Sequence, residues 1–438
     1  MIKRLIMAAA ISSAALTASA EGYQVNTLSA RQNGMGHTGT AIKLGAESMI
    51  FNPAGIAYIN DIIDAQASVT GIFAKASATC SEGKFETDNT PSTPISVNLA
   101  MSVYDNFKVG VSFYTPYGSG INWGVSWPGA ALNQKVSLAA YTLQPTLAWR
   151  PIKNLAIGAG VMVTWGNVNL DKGLVSASSF NAVLGAMGIP GQSDDTPASI
   201  NLNGKAATTV GVNAGIMWDI NSRWTVGASF RSKMNMKVKR GVASLSYASD
   251  FTRSILQERL DILDKANFEA SMPCAAVYNI GVSFKPTDRW LLAADLQLTG
   301  WKAYKELTVD FLSEKLEPYD QHLTKNYRNS MTYHLGAQYS VTDRLDLRAG
   351  MMVDTTPVNK KHYNPETPGM TKIEPSIGLS FSPVKNFSID ASLLYVAGLG
   401  ENNASISYDD LLLGKTATFE ADYKVHAWNP SIGLSFHF

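Results

Sequence analysis

In the last residues of the chain, PSIGLSFHF, apolar and small polar positions alternate without a break. Ile432, Leu434, Phe436 and Phe438 fall on one side of an extended strand, and Ser431, Gly433, Ser435 and His437 on the other. The run PSIGLSF already stands at residues 375–381, where it leads into SPVKNF and a new alternating run. The same layout recurs around VYDNF (103–107), WRPIKNL (149–155), WDINSRW (218–224), FKPTDRW (284–290) and YSVTDRL (339–345). Pro, Asp, Asn and Lys packed into a few residues between alternating runs are the chemistry of a tight hairpin. The connections between these hairpins are longer and less regular, at residues 170–203, 241–268, 311–325 and 400–420. Six short turns, a first strand near residues 65–79 and the terminal strand together predict about fourteen strands.

Short turns at one end and long loops at the other describe an all-β fold, a transmembrane antiparallel β-barrel. A soluble β-sandwich shares the period of two but rarely carries its aromatics at one end of every hairpin. Composition points the same way: only 16% of residues are charged, and 35 glycines are spread through 438 residues. Residues 1–20 read as a secretory signal peptide, with Lys3 and Arg4, an apolar stretch and Ala18-Ser19-Ala20, so the mature chain is expected to begin at Glu21. No later stretch is long and apolar enough for a membrane-spanning helix. A net charge of +1 without basic runs argues against a nucleic-acid partner. Cys80 and Cys274 are the only thiols, and nothing in the sequence decides whether they pair.

Residues 21–61 precede the first strand, are rich in glycine and small residues, and show no sustained alternation, which suggests a stopper for the lumen. The barrel is then expected over residues 62–438. The run GYQVNTLSA, the Gly34-Met35-Gly36 step, GAESMIFNPAG and the later YTPYGSG resemble the FadL family of outer-membrane long-chain fatty acid transporters, over essentially the whole mature chain. Asn52-Pro53-Ala54 is similar to that family's plug motif, although Asn-Pro alone is also an ordinary turn initiator. The resemblance implies a fourteen-strand barrel with an N-terminal hatch and sideways delivery of hydrophobic substrates into the outer-membrane lipid. It implies recognition of the terminal aromatic by the barrel-assembly machinery, with no cofactor, and a monomer is expected.

Thr115-Pro116-Tyr117-Gly118, with Gly120, falls in the third strand, where proline cannot donate to the ladder and glycine marks a bulge. The strand either ends there or leaves a gap; the resemblance implies a lateral exit. Leu174, Phe180, Val183, Leu184 and Met187 in one outer loop, and Leu256, Leu260 and Leu263 in another at near-helical spacing, form a candidate capture groove or pack on one another. Arg231 and Arg348, opposite in phase to the apolar face, are candidates for a carboxylate headgroup; either could instead pair with Asp295, Asp346 or Asp390. Gly34–Gly39 matches GxGxxG but opens no βαβ unit, and there is no HExxH or GxSxG. Neither a metal nor an enzymatic activity is expected, and Ser435 and His437 read as wall lining. A porin for polar solutes is the competing reading. The sequence leaves the choice between fatty acids and aromatic hydrocarbons open.

Overall fold

The computed structural model describes residues 22–191, 195–260 and 262–438. The signal-peptide expectation at residues 1–20 lies outside them.

The chain closes into a ring of fourteen antiparallel strands. In chain order they are β1 (Ile63–Thr70), β2 (Ile95–Tyr104), β3 (Phe107–Asn122), β4 (Lys135–Ile152), β5 (Leu155–Gly173), β6 (Ala198–Asp219) and β7 (Trp224–Arg231). There follow β8 (Val277–Phe284), β9 (Trp290–Thr299), β10 (Ser330–Thr342), β11 (Leu345–Asp354), β12 (Lys372–Val384), β13 (Phe387–Gly398) and β14 (Lys415–His437). Each of the expected short turns joins consecutive strands of this ring. The ring shuts where β1 pairs with β14, and the terminal residue takes part: Ile63 N–H donates to the Phe438 carbonyl (3.0 Å) and Phe438 N–H to that of Ile63 (2.9 Å). Closure joins the last strand of the ring to the first, as a sheet that crosses a bilayer requires.

Which way the alternation points settles the class. In β14, Ile432, Leu434 and Phe436 are exposed while Ser431 and Ser435 are buried inside. A soluble sandwich would bury the apolar set instead. At the short-turn rim the outward aromatics pair across strands, Trp224 on Phe284 (ring centroids 4.2 Å apart) and Phe387 on Phe436 (4.6 Å), as an interfacial girdle does.

Two expectations need adjusting. The first strand begins at Ile63 and breaks after Thr70, because Gly71 and Ile72 turn their N–H groups to Pro430 and Ser92; the run resumes as Phe73–Cys80 against β14. The long connections are less irregular than their sequences suggest. Strands Met234–Tyr247, Lys265–Cys274 and Glu401–Asp410 continue the wall beyond the membrane band, and the helices α1 (Ala177–Ala186) and α2 (Asp250–Leu260) sit among them.

Residues 22–61 lie inside the ring, hydrogen-bonded to it from opposite sides. Arg31 pairs with Asp390 of β13 (3.2 Å), Asn33 Nδ2 donates to Ser431 Oγ of β14 (2.8 Å), Ser96 Oγ of β2 to the Leu28 carbonyl (2.6 Å), and Gln144 Nε2 of β4 to that of Met49 (2.7 Å). Glycine makes the close approach possible where the two backbones touch. A Cβ on Gly350 would come within 2.1 Å of the Gly36 nitrogen, and Gly36 itself has a left-handed φ of 62°.

Candidate functional site

Asn52 acts as a three-way tie. Its Oδ1 caps the Ala54 N–H (3.1 Å), while Nδ2 donates to the Thr40 carbonyl within the N-terminal segment (2.7 Å) and to that of Ile216 on β6 (3.0 Å). Pro53 opens the short helical turn Pro53–Tyr58, where its missing N–H costs nothing. Wall glycines receive the motif: a Cβ on Gly215 would lie 2.0 Å from Asn52 Oδ1, and one on Gly158 would lie 2.4 Å from the Pro53 backbone and 2.5 Å from that of Ala54. The Gly34–Gly39 run belongs to the same packing. Gly39 and Thr40 donate their N–H groups to Asp295 Oδ2 of β9 (2.7 and 2.8 Å).

In β3 the register slips between Tyr114 and Tyr117, so Thr115 and Pro116 together oppose Tyr141 of β4. On the other side, pairing to β2 stops at Ser96 and Tyr114; beyond it Ile95 N–H reaches only the Thr115 side chain (3.2 Å). Residues 114–121 are all buried, so the strand has turned into the lumen. Its backbone is met there by the N-terminal segment: Val25 N–H donates to the Pro116 carbonyl (2.9 Å), and Gly118 N–H to that of Tyr23 (2.8 Å). Gly120 continues the kinked stretch and pairs only with Ser137 of β4. Outside the slip, Phe113 stacks on Tyr141 (6.2 Å), with Trp165 beside both (6.3 Å from each).

Above the kink is an apolar chamber of about 100 Å³. Tyr23 and Ser119 border it, and Leu138, Leu170, Leu202, Met236 and Phe268 line its walls. At its upper end Glu366 pairs with the fully buried Lys325, whose Nζ also lies 5.9 Å from the Tyr304 ring. The sequence reading did not single out these residues. The signal lay in a change of polarity along one strand phase: in β4 the inward set runs Val136, Leu138, Ala140, then Thr142, Gln144, Thr146. The apolar end of that set is the chamber.

The expected capture residues divide. Phe180, Leu184, Leu256 and Leu260 are buried where α1 packs on α2, with Val183 buried close by. Leu174 and Leu263 line a narrow groove of about 40 Å³ beside Phe311 and Tyr319, and Met187 is exposed. The two arginines lie away from the apolar chamber. Arg231 Nη2 donates to the Ile50 carbonyl (2.9 Å); Arg348 pairs with Asp390 (3.0 Å) and donates to Gln338 (2.8 Å), the alternative role its phase left open. Among the described residues no His, Cys, Asp and Glu are grouped so as to hold a metal ion, and Cys80 and Cys274 are free thiols.

A closed fourteen-strand barrel, with a filled lumen and an apolar chamber above the filling, defines an outer-membrane transport protein. The chain belongs to the outer membrane protein transport protein family (OMPP1/FadL/TodX), whose model matches residues 11–438. It is 21% identical to the long-chain fatty acid transport protein of Escherichia coli strain K12, over 90% of this chain and 91% of that one. Its fold resembles that of a Pseudomonas aeruginosa FadL homologue (TM-score 0.80, 21% identity, covering 95% of this chain and all of the other). It also resembles the P. putida toluene transporter TodX (TM-score 0.71, 17% identity, covering 96% and 99%). Proteins of this family are transporters and channels, and the chain is not an enzyme.

Proposed function

We propose that the chain takes up hydrophobic compounds, long-chain fatty acids first among them, and releases them sideways into the outer membrane. One observation carries this reading: the extended segment Tyr23–Val25 pairs with the part of β3 that has left β2, and Tyr23 also borders the apolar chamber. One displacement of that segment would therefore open the chamber and free the wall gap together. Residues 21–61 act as the hatch, Asn52-Pro53-Ala54 fixes its lower half, and residues 115–120 form the exit. A ligand is captured at the outer groove beside Leu174 and Leu263. An apolar route matters because each CH2 moved from water to an apolar site is worth about 0.8 kcal/mol.

A second reading within the same mechanism, an uncharged aromatic hydrocarbon, is favoured by the charges. Arg231 and Arg348 are engaged elsewhere, and Lys325, beside the chamber's Glu366, is already paired with that carboxylate. The test is uptake of labelled long-chain fatty acid, and separately of labelled toluene, by cells lacking their own transporter and expressing this chain or its Asn52→Ala/Pro53→Ala variant. Uptake that requires the chain and falls in the variant, at equal surface level, supports hatch-gated transport, and the favoured label names the class. No uptake of either by a correctly inserted barrel overturns the reading.

A further inference from the structure

Successive residues of an extended segment face opposite ways. Tyr23 borders the apolar chamber, while Gln24 and Val25 border a second cavity, of about 50 Å³. Residues that line it carry polar atoms without a hydrogen-bond partner in the protein: both ring nitrogens of His37, Oε1 of Gln32, Nε of Arg231 and Oδ1 of Asp295. His37, Gln32 and Asp295 are 5%, 4% and 8% exposed. Three of these groups are held by their other atoms. Gln32 Nε2 donates to the His37 carbonyl (2.8 Å), Asp295 Oδ2 accepts from Gly39 and Thr40, and Arg231 Nη2 donates to Ile50. His37 reaches the cavity from a left-handed backbone (φ 61°), a conformation that a residue with a side chain adopts at a cost.

The chemistry of the lining selects the occupant. Arg231 Nε–H and one His37 N–H donate, whereas Asp295 Oδ1, Gln32 Oε1 and the other His37 nitrogen accept. An ion of either sign would meet its own charge on Arg231 or Asp295, and an apolar ligand would leave every group unpaired. Water both donates and accepts, and a cavity of this size has room for about three or four molecules. We propose that this cavity is a resident water site, and, resting on the transport reading above, that its waters supply replacement hydrogen bonds when Tyr23–Val25 leaves β3. Release otherwise strands the Val25 and Gly118 N–H groups and the Tyr23 and Pro116 carbonyls in an interior where unmade bonds are costly. With water one residue away, those groups exchange partners instead of losing them.

The experiment is millisecond radiolytic hydroxyl labelling of the detergent-solubilised full chain, which marks side chains beside bound water. His37 should label, after correction for intrinsic reactivity and exposure, roughly tenfold faster than Phe180, which is buried in the contact of α1 with α2. Labelling as slow as that of Phe180 overturns the water site. The supply role is tested with Val277→Phe, which enlarges a buried lining residue into the cavity. Loss of His37 labelling together with a severalfold fall in uptake, at equal surface level, supports it; loss of labelling with uptake unchanged overturns it. Fast His37 labelling in a chain that transports neither fatty acid nor toluene leaves the water site standing and removes the transport reading, so the two failures are distinguishable.

Discussion

Asn52 illustrates how a single amide can organise a barrel interior. Three hydrogen bonds depend on it, and the glycine facing it, Gly215, has no Cβ because there is no room for one. In Asn52→Ala the Thr40 and Ile216 carbonyls and the Ala54 N–H lose their partner in a buried site, a loss on the order of 2–4 kcal/mol in hatch docking. Hydrogen exchange read by mass spectrometry should show residues 22–61 deprotected while the ring strands stay protected; equal protection in both would refute the tie. Glu47 adds a pH dependence. Burial raises its pKa to about 7, against the opposing pull of Arg31 and the Ser29 hydroxyl. The folded value lies above the ordinary 4.5, so its contribution to docking is fully present below pH 4.5 and is lost as pH rises through about 7. His37 runs the other way. Burial lowers it from 6.5 to about 3, so its contribution is present above pH 6.5 and is lost as pH falls toward 3. Glu47→Gln should therefore match the parent at pH 4.5 and exceed it in protection of residues 22–61 at pH 8.5, while the weakening as pH falls from 6.5 toward 3, which belongs to His37, remains. A variant no better protected at pH 8.5 would refute the assignment to Glu47.

At the scale of elements, the hairpins were legible because each one is a local statement: alternation, an aromatic, a short turn, alternation again. The kink in β3 was half legible. Pro116 announced a missing donor, but that the N-terminal segment meets the vacated backbone depends on Tyr23–Val25 and residues 116–118, far apart in sequence. The pairing of Arg31 with Asp390 across the lumen is hidden for the same reason, since no periodicity relates those positions. The chamber could have been found, by asking where the inward phase of β4 changes from Gln144 and Thr142 to Leu138 and Val136. Pro116→Ala with Gly118→Ala restores a donor and removes a flexible point, which favours continuation of the ladder toward β2. One added hydrogen bond is worth about 1 kcal/mol, so with the stiffer backbone the open gap becomes roughly tenfold rarer and uptake should fall by about that factor. Unchanged uptake at equal surface level would remove the lateral exit from the mechanism.

For the molecule as a whole, wall and filling are separable in their physics. The ring closes through β1 and β14 down to Phe438 without any residue of 22–61, and apart from the stretch of β3 that has left β2 its strands pair with one another. The lumen does need them. Gln144, Asn213, Asp295 and Arg231 now bond to groups of residues 22–61, and without that segment each must be hydrated. A lumen of that polarity fills with water and conducts. A chain lacking residues 22–61 should therefore insert as a heat-modifiable barrel and show a steady conductance in planar bilayers severalfold above that of the intact chain, with the Asn52→Ala variant flickering between the two levels. An intact chain already conducting like the deletion would mean that the lumen is open, and the porin reading would return. A deletion as silent as the intact chain would mean that the wall above the hatch, around Phe268 and Met236, seals the pore unaided, and the hatch would then gate the exit in β3 without holding back the water.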